Sequence, residues 1–308
     1  MIREATSDDL PSIAGLLARR HARVQGAHPI LNPAFADPQV VVSALPKPPQ
    51  GWVADRGGRV TAGLLWRQHD GRAMASVLGT VGDPEDLALI YAVAGEVWLA
   101  MGLATHAMVV PSLDRAVSDR LVDLGFGREE AYAVRSLADR GGALPDHAVE
   151  VERAGLDRLD AVVRLGDLVA RHHEQSPVFD RHSNEFYTGL PESYRHAVVA
   201  QDARILLAHR DGEDVGLLLW RPGAPLPLYD ARSAEMILLA VHPDSRGAQV
   251  GRTLVATAMR DMAAFGHSAA VADWRTTNLE AARFWPSQGF LTVGHRYVRS
   301  VPARPDHG

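Results

Sequence analysis

Apolar and polar positions recur in the same order twice along this chain. In the first half, a short apolar run at Trp52–Ala54 meets the turn Arg56-Gly57-Gly58 and continues into Val60–Arg67. In the second, Ile205–His209 meets Asp211-Gly212 and continues into Val215–Arg221. The second members of these pairs echo each other, Gly58-Arg59-Val60-Thr61-Ala62-Gly63-Leu64-Leu65-Trp66-Arg67 against Gly212-Glu213-Asp214-Val215-Gly216-Leu217-Leu218-Leu219-Trp220-Arg221. Short apolar runs joined by Gly-rich turns predict β-hairpins. A third apolar run follows in each half, Met74–Thr80 and Met236–Val241. After it come a helical pattern, a strand (Ala107–Val110; Ala269–Asp273), a second helix and a last strand. Ahead of each hairpin lie a short strand and an amphipathic helix with an acidic start, Ser7-Asp8-Asp9 before Leu10 and Asp157 near Leu159.

Antiparallel hairpins followed by β-α-β-α-β predict an α+β domain, with a mixed, mostly antiparallel central sheet flanked by helices. The unbroken apolar runs predict central strands buried on both faces. The repeat is longer than the roughly 20–50 residues of a solenoid unit, so it reads as two copies of one fold. The breaker-rich run Asp139–Pro145 marks the seam, giving domains at 1–140 and 147–308.

Composition narrows the function. With no cysteine, disulfides, thiolate metal sites and a cysteine nucleophile are excluded. Lys+Arg total 32 against 37 Asp+Glu, a net charge of −5, which speaks against a general nucleic-acid binder. Leu87–Ala104 is apolar except for Glu96, long enough to raise a membrane span. Asp83, Glu85 and Asp86 at one end and Glu96 near its middle favour a buried soluble helix, and the expected location is cytoplasmic. Fourteen histidines raise a metal site, but His172 and His173 are adjacent and point about 100° apart on a helix, and no metal is expected.

The third strand of the second half runs directly into His242-Pro243-Asp244-Ser245-Arg246-Gly247-Ala248-Gln249-Val250-Gly251-Arg252. Small residues ahead of a helix start let a phosphate approach the free N–H groups, and Arg246 and Arg252 add positive charge. An ordinary strand–helix turn with surface arginines fits the loop taken alone. Downstream lies Asn278-Leu279-Glu280-Ala281-Ala282-Arg283-Phe284-Trp285-Pro286-Ser287-Gln288-Gly289-Phe290. These two segments, in this order, resemble the GNAT superfamily of N-acetyltransferases, whose Gln/Arg-x-x-Gly-x-Gly/Ala signature is met by Arg246 and Gly251 but carries Gln249 at the first glycine. The resemblance covers the second half.

What the resemblance implies is a tandem acetyltransferase using acetyl-CoA as cosubstrate. Arg246, Gly247, Ala248, Gln249, Val250, Gly251 and Arg252 would hold the pyrophosphate. Leu239 and Val241 would offer backbone groups to the acetyl carbonyl and pantetheine, with Asn278 near the pantetheine and the Phe284–Trp285 face near the thiol. Asn278 also reads as a helix N-cap, and Phe284 and Phe290 as core. Glu235 is the candidate catalytic base, on a strand face shared by alternation with Ile237, Leu239 and Val241. Family members often place a tyrosine where Trp285 stands, so Tyr297, Tyr229 and a bound water are the alternative proton donors. The first half has Gly82-Asp83-Pro84-Glu85-Asp86 at the equivalent turn, whose carboxylates repel a pyrophosphate, and reads as a copy without a CoA site. Residues 26–49 and 172–194, with His182 and His196, are expected to line the acceptor pocket. The expected acceptor is a small-molecule primary amine, with no nucleic-acid or membrane partner, in a monomer or homodimer. A mycothiol-synthase-like enzyme and a non-catalytic acyl-CoA- or partner-binding module are the rival readings.

Overall fold

The computed structural model describes residues 1–138, 149–199, 203–223, 229–230 and 232–302; the expected seam lies outside them. The chain forms two compact units, one built mainly from Met1–Tyr132 and the other from Ala133 to Leu291.

The first unit opens with β1 (Ile2–Glu4) and α1 (Leu10–Ala27). Thr6 and Asp9 form a capping box just before α1. Its apolar positions Leu10, Ile13, Ala14, Leu17 and Ala18 recur at helical spacing and bury against Val53, Leu65 and Val81. After α2 (Pro38–Ala44) come β2 (Gly51–Arg56), β3 (Arg59–Leu65), β4 (Arg67–His69), β5 (Arg72–Ala75) and β6 (Thr80–Gly82). Alternation along β2 and β3 sends Trp52 and Leu64 to the opposite face, where they meet Ile90, Tyr91 and Trp98 of α3 (Pro84–Ala100). The unit continues with β7 (Thr105–Pro111), α4 (Arg115–Asp123) and β8 (Gly127–Ser136), which passes into the second unit after Tyr132.

The second unit repeats the plan with β9 (Glu150–Arg153), α5 (Leu159–His173), α6 (Asn184–Val199), β10 (Arg204–Arg210), β11 (Glu213–Pro222) and β12 (Ser233–Val241). It closes with α7 (Val250–Ala264), β13 (Ala269–Arg275) and α8 (Leu279–Ser287). Its strand order is β8-β13-β12-β11-β10-β9, antiparallel from β12 through β9, with β12 and β13 parallel. One face of the sheet buries Leu207, Leu217, Leu219, Leu238 and Ala240 under α5 and α6. The other face receives α7 so closely that a Cβ on Gly216 would lie 2.8 Å from Val250 and 2.9 Å from Leu254. The last strand, β14 (Leu291–Ser300), belongs to the first unit, where it pairs antiparallel with β7 from Gly294↔Pro111 to Ser300↔Thr105.

One expectation is corrected. The third strand of the first half, expected as one run over Met74–Thr80, is two strands, β5 and β6, separated by Ser76–Gly79. The buried Arg20 of α1 donates to the carbonyls of Val77 and Thr80 and so satisfies backbone groups that a continuous ladder would have paired. The apolar stretch at Leu87–Ala104 forms α3 with one face in the core. Among the described residues no helix is long and apolar enough to cross a membrane.

Candidate functional site

The site is built where β12 leaves β13. Their parallel pairing runs from Ser233↔Ala269 to Met236↔Ala272 and stops there. At that level β12 has a bulge: Trp220 pairs with Met236 and Leu219 with Leu238, leaving Ile237 as the extra residue. Beyond it, β12 stays paired with β11 alone, and the His242 N–H donates to the Val215 carbonyl at 2.9 Å. Alternation from His242 turns the backbone groups of Ala240 and Leu238 toward β11. Those of Leu239 and Val241 therefore face the open side of the fork.

The bulge also corrects the expected face. Glu235 pairs with Arg221, which alternates with Trp220 and shares the side of Leu219. Glu235 therefore lies on the α5 face with Leu238 and Ala240, whereas Leu239 and Val241 lie on the α7 face. Glu235 is half-buried and accepts from Arg221 at 3.2 Å and 3.4 Å.

Past Val241 the chain makes a helical turn at Pro243–Ser245, and α7 begins at Val250. Gln249 occupies the N-cap position with φ 60°, the left-handed conformation that glycine adopts freely, and Gly247 has φ 80°. Holding a non-glycine residue there costs about 1–2 kcal/mol. No side chain caps this helix and no acid stands in its first turn. Its first N–H groups thus have no intrahelical acceptor and carry the positive end of the dipole. Arg246 reaches Glu280 in the first turn of α8 at 2.7 Å, and Arg252 is exposed in the first turn of α7. A Cβ on Gly251 would point at Phe284 (3.4 Å) and Val241 (3.5 Å), in ordinary contact.

Asn278 is the N-cap of α8, its Oδ1 accepting from the Ala281 N–H at 3.1 Å. Trp285 is buried edge-on between Phe284 and Phe290, with ring centroids at 5.3 Å and 5.0 Å. Phe284, the other ring of that expected face, is the one that reaches toward Gly251. The alternative proton donors stand elsewhere. Tyr297 is in the core of the first unit and accepts from Arg128 at 3.0 Å; Tyr229 is also buried and grouped with that unit.

Three further groups gather on the α5 face beyond the sequence-derived set. Arg275, at the end of β13, pairs with Asp180 from the segment after α5 at 2.5 Å. His173, the last residue of α5, places Nε2 3.4 Å from the Asn278 Nδ2. Burial first, then the neighbouring His172 and Arg275, hold His173 below the usual imidazole range. The sequence signal was slight: two polar residues, Asp273 and Arg275, alternating at the end of an otherwise apolar strand. His182, in the segment expected to line the acceptor pocket, stacks on Phe186 at 4.2 Å, and His196 lies on α6. Among the described residues no cluster of three or more His, Asp or Glu side chains is arranged to hold a metal.

The first unit has the same fork with different contents. Its β5 pairs parallel with β7 as far as Ala75↔Met108, and β6 pairs with β3 instead. Met74 stands one residue before that last pair, where the second unit has Glu235. Asp83 caps α3 by accepting from the Glu85 and Asp86 N–H groups. The space between β6, α3 and α4, lined by Thr80, Leu87, Tyr91 and Leu121, is about 10 Å³, the limit of a single water.

Comparison with known proteins agrees with this geometry. Residues 169–290 match the model of the acetyltransferase (GNAT) family. The chain superposes with a TM-score of 0.61 on a GCN5-related N-acetyltransferase from Sphaerobacter thermophilus, at 16% identity, covering 99% of this chain and 96% of that one. A tandem GNAT protein from the clavulanic acid biosynthesis pathway gives a TM-score of 0.53 at 15% identity, covering 99% of each chain. The glucosamine N-acetyltransferase region of a fungal multi-domain β-N-acetylglucosaminidase gives 0.57 at 14% identity, covering 97% of this chain and 38% of that one. No curated protein matches the sequence significantly. Residues 169–290 therefore belong to the GNAT family, whose chemistry is acyl transfer. The chain as a whole has the fold of a tandem GNAT protein.

Proposed function

We propose that this protein is an acetyl-CoA-dependent N-acetyltransferase that moves an acetyl group directly to the primary amine of a small molecule. The active copy is the second domain, 147–308 in chain order, and the first, 1–140, serves as a copy without a cosubstrate site. One observation carries the reading: β12 parts from β13 at a one-residue bulge, and its free edge runs straight into an uncapped helix start flanked by Arg246 and Arg252.

In this reading the N–H groups around Gly247–Arg252 hold the pyrophosphate of acetyl-CoA, with both arginines contributing charge. The pantetheine lies along the fork beside Leu239, Val241 and Asn278, and the thioester carbonyl accepts from a free β12 N–H. Such a donor stabilises the oxyanion that forms when the amine attacks. Glu235, on the α5 face, takes the ammonium proton directly or through a water, leaving the nitrogen lone pair free to attack. The tetrahedral intermediate then expels the CoA thiolate, and the proton that the attacking nitrogen still has to lose passes through water to that thiolate, leaving the neutral amide and CoA. Trp285 carries an indole N–H and no acidic proton, so it supplies none. The Arg221–Glu235 pair favours a second reading, a non-catalytic acyl-CoA-binding module, because a guanidinium already engages the base.

Calorimetric titration with acetyl-CoA tests the site on the wild type and on Gly251→Asp, with melting temperatures as the control for folding. One site per chain is expected, weakened about a hundredfold by a carboxylate beside the pyrophosphate. Two sites would show that the first unit binds too. No binding by the wild type overturns the proposal.

A further inference from the structure

The Asn278 amide is fixed by its own helix. Its Oδ1 is used by the Ala281 N–H at 3.1 Å, so only the Nδ2 donor remains for a neighbour. That neighbour is the His173 Nε2 at 3.4 Å. A donor on Asn278 requires an acceptor on His173, so the ring is neutral with its proton on Nδ1. Turning the amide over offers no escape. It would set Nδ2 against the Ala281 N–H and remove the cap of α8, whose capping residue Asn278 is only 9% exposed.

We infer that His173 is a positioning residue for the proposed cosubstrate site: its unprotonated Nε2 holds the Asn278 amide, and protonation there releases it. The inference rests on the proposed function, in which Asn278 borders the pantetheine. It ties the affinity for acyl-CoA to a side chain of α5, the helix that covers the opposite, acceptor-facing side of the sheet. Once Nε2 carries a proton, two donors face each other in a half-buried contact, and the end of α5 and the start of α8 separate.

The charges around His173 come from each neighbouring element. His172 lies beside it on α5, Asp180 and His182 belong to the following segment, and Arg275 ends β13. Asp180 favours a charged His173, but its carboxylate is engaged by Arg275 at 2.5 Å, and its own N–H donates to the His173 carbonyl at 2.8 Å. Burial, His172 and Arg275 all disfavour the charge, so the ring is neutral at pH 7 and titrates below its ordinary range.

The test is calorimetric titration of the full chain with acetyl-CoA between pH 5 and pH 8, on the wild type, His173→Gln and His173→Ala. Glutamine supplies a neutral acceptor at every pH. At pH 8 the wild type and His173→Gln should bind alike, and His173→Ala about tenfold more weakly, the size of one lost hydrogen bond. Toward pH 5 the wild type should fall to the alanine level while His173→Gln keeps its lead. Both would share any pH dependence that comes from titration of the phosphates of acetyl-CoA itself. Equal pH profiles for the wild type and His173→Gln overturn the inference and leave the proposed function standing. Absence of binding in the wild type at every pH overturns both.

Discussion

The two units place a strand, a fork and a helix start in the same order, and they fill the fork in opposite ways. In the second unit a single bulged residue, Ile237, separates the paired end of β12 from its free edge, and α7 begins without a cap. In the first, four residues, Ser76–Gly79, do the same work, and the fork is closed from within. Arg20 binds its carbonyls, Thr80 reaches the Val109 carbonyl at 3.3 Å, and Asp83 satisfies the helix that a ligand would otherwise satisfy. A phosphate site and a capped helix are alternative answers to one requirement, that the first N–H groups of a helix find acceptors. The first unit answers it with its own carboxylates, the second leaves it open.

The comparison can be broken most forcefully at Arg20. Burial lowers this guanidinium to about 10, so it remains charged at neutral pH, and Asp114 is 4.0 Å away. Arg20→Met leaves two buried carbonyls and Asp114 without it and should destabilise the first unit by about 3–5 kcal/mol in chemical denaturation. Acetyl-CoA affinity at temperatures where the chain stays folded should be unchanged. Acetyl-CoA binding appearing in the first unit of this variant would instead show that Arg20 was a plug and nothing more.

Glu235→Gln addresses the other fork. Turnover with an amine acceptor should fall at least about a hundredfold, the lower end for loss of a general base, with acetyl-CoA binding retained. Unchanged turnover would show that Glu235, tied to Arg221, is not the base.

A smaller difference lies at the start of α1. Arg3 grips Asp9 at 2.7 and 2.8 Å and, with the Thr6 N–H and hydroxyl, holds its carboxyl down to about 2. The equivalent helix α5 has no side-chain cap. Because the folded state lowers the carboxyl pKa, the stabilisation is fully present above pH 5 and is lost as the pH falls from about 4 through 2. Acid titration of stability should therefore show about 1–2 kcal/mol of this loss in the wild type and not in Asp9→Asn. The smallest effect is expected at Asp83→Ala, a lost cap worth about 1 kcal/mol, which should lower the melting temperature by a few degrees. Its acetyl-CoA stoichiometry should stay at one; a second site in this variant would make the cap the sole barrier in the first unit.

Much of this was legible in the residues. The paired hairpins, the caps at Asp83 and Asn278 and the start of α7 follow from local patterns, since turn and cap chemistry act over a few positions. The break at Ser76–Gly79 was hidden because Ser76-Val77-Leu78-Gly79 continues an apolar run, and the group that satisfies its carbonyls lies at Arg20. The bulge at Ile237 was hidden for a related reason. Met236-Ile237-Leu238-Leu239 is apolar throughout, so no inside–outside contrast fixes the phase of the strand. That is why Glu235 was expected beside Leu239 and stands on the other face. The His173–Asn278 and Arg275–Asp180 contacts join residues about a hundred positions apart, where a single sequence carries no local signal.

The exchange of closing strands has a consequence for truncation. With β14 completing the first unit and β8 passing into the second, neither half can be cut out at the seam and keep its sheet. A stop codon just after residue 290 would remove nothing from the residues matched to the acetyltransferase family, yet would strip the opposite unit of a core strand and its buried Tyr297. A substitution in residues 292–300 is thus felt first in the unit that opens the chain.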